Sequence, residues 1–329
     1  MKNYKFNLIL GITSVVIFVL FIILSHGWMD LIHQMNNLQI QWILVAVMCM
    51  LLYWIFEAKI LQSIVLLTKK DYKLKDAFKV TMIGQYFNSI TPFSSGGQPM
   101  QFYALIKQGL GAGESGSALM IKFIVYQTIL TLYSLILIFW KLDLFKRNTS
   151  NLFYLIGLGF AVHASVIISL IVFSKYRKLT HKFIIVLSKI LNKLKLVKNM
   201  SKLEIRINNN LDLFHNNIEI AKHSKKLIFK VIIYTILLLT IYFIIPYFIY
   251  LSFGMEGANI GSMIAGTAFI MMITAVIPSP GAMGGAEGAF YMLFSFFFAS
   301  YNIMAAILLW RLITFYSCII FGFYFLRKN

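Results

Sequence analysis

Six stretches of the chain, 7–25, 42–67, 117–140, 152–173, 231–253 and 303–325, run apolar for about 20 residues or more, the length that crosses a hydrocarbon core about 30 Å thick. Two others, 80–105 and 260–301, are apolar but interrupted by Gly, Pro and polar residues. The pattern predicts an all-α polytopic integral membrane protein with six transmembrane helices and two broken segments. Between the fourth and fifth spans, 175–226 is the only sizeable hydrophilic section. Within it Phe183, Ile184, Leu187, Ile190, Leu191 and Leu194 recur at helical spacing opposite Lys182, Lys189, Lys193 and Lys198. That spacing predicts an amphipathic helix lying on the membrane surface, and a second seam runs through Leu203, Ile207, Leu211, Phe214 and Ile218. The chain 1–329 therefore reads as one membrane domain, with 175–226 a basic surface segment inside it.

The helix breakers are concentrated. Four of the five prolines (Pro92, Pro99, Pro278, Pro280) and fifteen of the twenty glycines lie within 84–116 or 254–288. The first broken segment reads Gly84-Gln-Tyr-Phe-Asn-Ser-Ile-Thr-Pro-Phe-Ser-Ser-Gly-Gly-Gln-Pro-Met-Gln-Phe-Tyr103. Its apolar arm before Pro92 is about a dozen residues, roughly 18 Å of helix, too short to cross, so it should dip in and turn back. A turn at that depth needs protein or a wet cavity around its backbone, and Asn88, Ser89, Thr91, Ser94, Ser95, Gln98 and Gln101 supply donors and acceptors. The helix restarting after Gly96 and Gly97 aims a positive dipole end at the turn, where a phosphate is stabilised.

The second segment reads Ile277-Pro-Ser-Pro-Gly-Ala-Met-Gly-Gly-Ala-Glu287-Gly-Ala-Phe290, with breaks at Pro278, Pro280, Gly281, Gly284 and Gly285. A re-entrant hairpin and a pair of short spans fit it equally well. Glu287 falls at a helix start, where the dipole favours a carboxylate. Arg311 lies about eight residues, or 12 Å, into the last span, and a charge at that depth calls for a partner, for which Glu287 is the natural one. The order of span, hairpin and span in the first half can recur upside down in the second, the inverted repeat by which many transporters place a site between discontinuous helices.

Composition sharpens this picture. Hydrophobic residues make up 60% and charged residues 12% of the chain, so a formal net charge of +19 must sit mostly in loops. There it favours anionic lipid headgroups over nucleic acid. Lys2 and Lys5, the cluster Lys69, Lys70, Lys73, Lys75 and Lys79, the 175–226 section, and Arg327 with Lys328 mark cytoplasmic loops and place both termini inside. Lys141, Lys146 and Arg147 fall on the outer side and are outweighed. Cys49 and Cys318 lie in apolar stretches, so no structural disulfide is expected, and the six scattered His residues show no ligand spacing. No metal, cofactor or catalytic signature is predicted.

The two broken motifs, in this order and about 180 residues apart, resemble the lysylphosphatidylglycerol synthase transmembrane family, the flippase-like module of MprF proteins. The resemblance implies a helical flippase fold with a phospholipid cavity in a bacterial cytoplasmic membrane. It also implies a lipid cargo of the phosphatidylglycerol or lysylphosphatidylglycerol type. Family members with lysyltransferase activity carry a further soluble domain, and this chain stops at Asn329. Transport is accordingly expected ahead of aminoacyl transfer from tRNA or an accessory role beside a separate synthase, and a homo-oligomer is compatible with the sequence.

The headgroup-binding candidates are Asn88, Thr91, Ser94, Ser95, Gly96, Gly97, Gln98, Gln101, Glu287 and Arg311. Glu57, Lys107 and Lys122 are secondary: the glutamate can hold a cationic aminoacyl group, and the two lysines are expected chiefly as interfacial anchors that can draw lipid phosphates.

Overall fold

A computed structural model of the protein describes residues 35, 38–141, 152–193 and 200–327. Every regular element among them is helical. In chain order these are α1 (Ile40–Val65), α2 (Leu74–Ile90), α3 (Gly97–Lys107), α4 (Ala112–Trp140), α5 (Leu152–Lys175), α6 (Arg177–Lys193), α7 (Met200–His223), α8 (Lys225–Phe243), α9 (Ile245–Ser252), α10 (Ile260–Thr274), α11 (Gly285–Phe294), α12 (Ile303–Arg311) and α13 (Ser317–Arg327). A π-helical turn, Leu312–Tyr316, joins the last two.

Five stretches are long and apolar enough to cross a membrane: Ile40–Val65, Ala112–Trp140, Tyr154–Lys175, Lys225–Ser252 and Ile303–Arg327. They match five of the six spans expected from the sequence, and the sixth, 7–25, lies outside the described residues. The protein is a multi-pass helical membrane protein. Pro246 divides α8 from α9 from a first-turn position, where its missing N–H costs no helical bond.

The broken segments form helix pairs. α2 and α3 pack on each other across turn 91–96, and α10 and α11 across turn 275–284. At 17 and 11 residues the first pair's arms are about 26 and 16 Å long; at 15 and 10 residues the second pair's are about 22 and 15 Å. All four fall short of a roughly 30 Å core. Both pairs are buried among the spans: α2 between α1 and α13, and α10 against α4, α5 and α8.

Lipid tails are as apolar as leucine, so close backbone approach and dispersion hold such helices together more than water exclusion does. Gly322 of α13 shows this: a Cβ there would sit 2.6 Å from the Tyr86 side chain and 2.7 Å from the Met82 carbonyl of α2. Trp54, Phe243, Phe269, Phe290 and Phe294 fill the interior.

The hydrophilic section is helical, as α6 and α7. α7 lies along α4, where Asn210 Oδ1 accepts from the Gly113 amide at 3.0 Å and Asn217 Nδ2 donates to Ser117 Oγ at 3.3 Å. On α6, Thr180 and Ser188 face inward while Leu179, Phe183 and Val186 stay exposed among Lys178, Lys182 and Lys189.

Candidate functional site at the meeting of two turns

Each broken segment turns by the same device. After α2, Phe93 and Ser94 take left-handed backbone at φ 52°, and after α10 so do Gly281 at 59° and Ala282 at 52°. The Ser94 amide reaches back to the Thr91 carbonyl at 3.2 Å and the Ser95 amide to Pro92 at 3.1 Å; in the second turn Ala282 reaches Ser279 at 3.0 Å and Met283 reaches Pro280 at 3.3 Å. Both turns carry proline followed four residues later by a glycine pair, Pro92 with Gly96 and Gly97, Pro280 with Gly284 and Gly285. The two turns also meet, Pro92 and Pro280 lying opposite each other in an antiparallel bridge.

In the first turn the polar side chains serve the backbone. Asn88 Oδ1 accepts from the Gly97 amide at 3.0 Å, and Thr91 Oγ1 accepts from the Gly96 amide at 2.8 Å while donating to the Phe87 carbonyl at 2.6 Å. They satisfy orphan donors at the start of α3. Ser95 donates to the Pro92 carbonyl at 2.9 Å. Gly97 has to be glycine because a Cβ would run into the Asn88 amide.

Behind this turn lies a buried ion pair. Lys122 Nζ of α4 is 2.7 Å from Glu57 Oε1 of α1 and donates to Gln101 Oε1 of α3 at 3.2 Å, and Gln85 Nε2 of α2 donates to Glu57 Oε2 at 2.5 Å. Four helices are thus tied by one charged cluster. The sequence led us to expect Lys122 as an interfacial anchor; the structure instead buries it against Glu57, an arrangement that only the packing of α1 on α4 creates. Lys107 stays on the surface over the Tyr103 ring, 5.2 Å from its centroid.

The second turn has its own pair. Arg311 Nε of α12 donates to Glu287 Oε1 of α11 at 2.7 Å, its Nη1 to the Gly281 carbonyl at 3.2 Å, and Glu287 Oε2 accepts from the Gly284 amide at 2.8 Å. The guanidinium is flanked by Trp310 and Phe315, with ring centroids at 4.9 and 5.3 Å. Its Nη2, also buried, has no hydrogen-bond partner. The π turn begins one residue later; such turns often mark functional positions in helices.

A cavity of about 590 Å³ opens where the turns meet. Asn88, Ser94, Gln98, Glu57 and Lys122 line it from the first half, and Ser279, Gly281, Ala282 and Arg311 from the second. Thr91, Ser95, Gln101, Glu287 and Pro278 stand outside its lining; the first four support the turns or the lining charges. Among the described residues no group of His, Cys, Asp and Glu is arranged to hold a metal ion.

Sequence reading passed over several wall residues: Gln85, the phenols Tyr53, Tyr126 and Tyr242, and the pair Gln127 and His163. Gln127 Nε2 of α4 meets His163 Nδ1 of α5, and the buried imidazole also lies against the Met271 backbone. The available signal was a polar side chain in the middle of each of two otherwise apolar spans.

The fold and the site together define a multi-pass helical membrane protein with a cavity of mixed apolar and polar lining between two matched helix breaks. The chain belongs to the lysylphosphatidylglycerol synthase TM region family, whose model matches residues 8–322. A comparison with curated proteins found no match. Membership places the chain among membrane modules of lysylphosphatidylglycerol synthesis or flipping and implies interaction with membrane phospholipid.

Proposed function

We propose that the protein is a flippase or scramblase that moves anionic or aminoacylated phospholipid, of the phosphatidylglycerol or lysylphosphatidylglycerol type, between leaflets of a bacterial cytoplasmic membrane. The observation that carries this reading is the cavity itself, a largely apolar hollow into which amide, hydroxyl and charged side chains project, flanked by two buried ion pairs and bounded by two turns that touch. A buried ion pair is costly to desolvate, and replacing it by apolar packing is often neutral or favourable, so two of them around one hollow are poorly accounted for by stability. A headgroup passing through the hollow exchanges water for these donors and carboxylates while its acyl chains stay in the bilayer. Both helix pairs enter as re-entrant hairpins from opposite faces, with both termini cytoplasmic and α6 and α7 on the inner leaflet. Exposed Leu179, Phe183 and Val186, flanked by lysines, support that placement of α6.

The test is reconstitution of the purified protein in vesicles carrying a fluorescent phosphatidylglycerol. Leaflet exchange should exceed that of empty vesicles and fall at least about tenfold in Glu287→Gln and Arg311→Ala. Exchange at the wild-type rate by both folded variants would contradict the reading. Lysyl-lipid formation from charged tRNA by this chain alone would replace it with a transferase.

A further inference from the structure

Three tyrosines stand in the cavity wall and take no part in either ion pair. Tyr53 of α1, Tyr126 of α4 and Tyr242 of α8 all line the hollow, and each falls in the middle third of its span. Tyr53 precedes Glu57 by four residues, and Tyr126 follows Lys122 by four, so both rings share a helix face with a member of the first pair, one turn away. The Tyr53 and Tyr242 rings are tilted at 46° to each other, with centroids 5.3 Å apart. Tyr53 and Tyr126 lie within electrostatic reach of Glu57, and Tyr242 within reach of Arg311. The phenols thus occupy the interval between the two pairs.

Their tips are engaged by protein, but the rings stay open. The Tyr126 hydroxyl meets that of Tyr53, and the Tyr242 hydroxyl meets Thr314, whose own hydroxyl donates to the Trp310 carbonyl at 2.7 Å. All three side chains still keep part of their surface accessible, and at this depth that surface faces the hollow. Ring carbon is therefore what they offer it, in keeping with its largely apolar lining. An aromatic face carries the negative end of its quadrupole and attracts a cation set within about 6 Å of the centroid, most strongly where water is excluded. Glu57 adds acceptors beside these faces. Among the described residues it accepts one bond at each oxygen, from Lys122 and from Gln85, and so keeps a lone pair on each. Lys122 cancels the carboxylate's charge but does not use up its acceptors.

From this geometry we infer that Tyr53, Tyr126 and Tyr242, with Glu57 beside them, form a seat for an organic ammonium carried by a phospholipid headgroup. The inference rests on the lipid-transport reading above and narrows its cargo. Ethanolamine and aminoacyl-ester headgroups share the required chemistry, a cation to lie on the rings and an N–H to donate to Glu57. The charge balance points the same way. Glu57 with Lys122 and Glu287 with Arg311 sum to zero. A headgroup with one ammonium beside its phosphodiester enters that neutral site as a neutral whole, whereas a bare phosphodiester brings a charge with no counterpart. A quaternary ammonium can use the rings but has no N–H for Glu57, so it separates the two contributions.

The experiment is calorimetric titration of the whole chain in detergent with four dihexanoyl lipids: phosphatidylethanolamine, alanyl-phosphatidylglycerol, phosphatidylcholine and phosphatidylglycerol. The first two should bind about tenfold tighter than phosphatidylglycerol, and phosphatidylcholine about threefold tighter. The tighter of the first two assigns the ammonium to ethanolamine or to an aminoacyl ester. Tyr53→Leu with Tyr242→Leu should abolish the preference for phosphatidylcholine and cut the other two to about threefold, while phosphatidylglycerol keeps its wild-type affinity, which a collapsed cavity would not allow. Glu57→Gln with Lys122→Gln should lower the first two lipids to the phosphatidylcholine level. Tyr53→Phe with Tyr242→Phe keeps the faces and drops the hydroxyls, so every preference should stay within about twofold of wild type. Should the leucine pair fail to fold, the phenylalanine pair still decides, because loss of the preferences there overturns the ring-face seat. Phosphatidylglycerol bound by wild type as tightly as the ammonium lipids overturns the inference, as do unchanged preferences in the folded leucine pair. Either result with leaflet exchange intact leaves the transport reading standing, whereas no binding of any lipid together with no exchange overturns both.

Discussion

The two turns share a backbone and differ in how they are held. The first is braced from its own hairpin, with Asn88 and Thr91 capping the start of α3, and its ion pair stands behind it, between α1 and α4. The second has its ion pair built into the turn: Glu287 holds the Gly284 amide, and Arg311 holds both Glu287 and the Gly281 carbonyl. Lys122 joins two acceptors, whereas Arg311 keeps one buried nitrogen unused. One bend, used twice, thus keeps its charged pair behind the turn in one half and within the turn in the other.

That contrast can be broken at graded cost. Arg311→Ala should have the largest effect, because it strands Glu287 in the interior: about 3–5 kcal/mol of stability and the loss of leaflet exchange, read by thermal unfolding in detergent and by the vesicle assay. The double replacements separate folding from function. Glu287→Gln with Arg311→Gln should fold and lose exchange about tenfold or more, while Glu57→Gln with Lys122→Gln should fold and lose exchange by a smaller factor, about threefold to fivefold. Equal losses would show that both pairs face the cargo alike.

Next come the left-handed positions. Gly281→Ala places a Cβ at φ 59° against the Phe315 ring and should cost about 2–3 kcal/mol; at the matching position Phe93→Gly relieves φ 52° at an exposed side chain and should raise stability by about 1 kcal/mol. Asn88→Ala removes a cap and should cost about 1 kcal/mol, with little change in exchange. Ser95→Ala, exposed and bonded only within its turn, should stay within about 0.5 kcal/mol.

Much of this architecture was legible in the chain, because lipid imposes so strict a rule on length and polarity. The runs at 42–67 and 117–140 could only be spans, and the clustered Pro and Gly marked both turns. The partnership of Glu287 with Arg311 followed from depth alone and is present at 2.7 Å. The partnership of Glu57 with Lys122 did not, since 65 residues separate them and each can reach an interface along its own helix. The contact of Gln127 with His163 likewise depends on how α5 lies against α4, which hydropathy does not encode. The shared spacing of proline and paired glycines was visible in the letters, but only the equal φ angles show that it encodes a shared turn.

The most direct test locks the two turns together. With Cys49 and Cys318 replaced by alanine, Pro92→Cys and Pro280→Cys place two thiols opposite each other in an antiparallel bridge, where Cα atoms about 4.5–5.5 Å apart fall within disulfide range. Oxidation should form the cross-link and stop leaflet exchange of fluorescent phosphatidylglycerol, and reduction should restore it. Exchange that continues at full rate through a fully cross-linked protein would contradict a headgroup path between the turns.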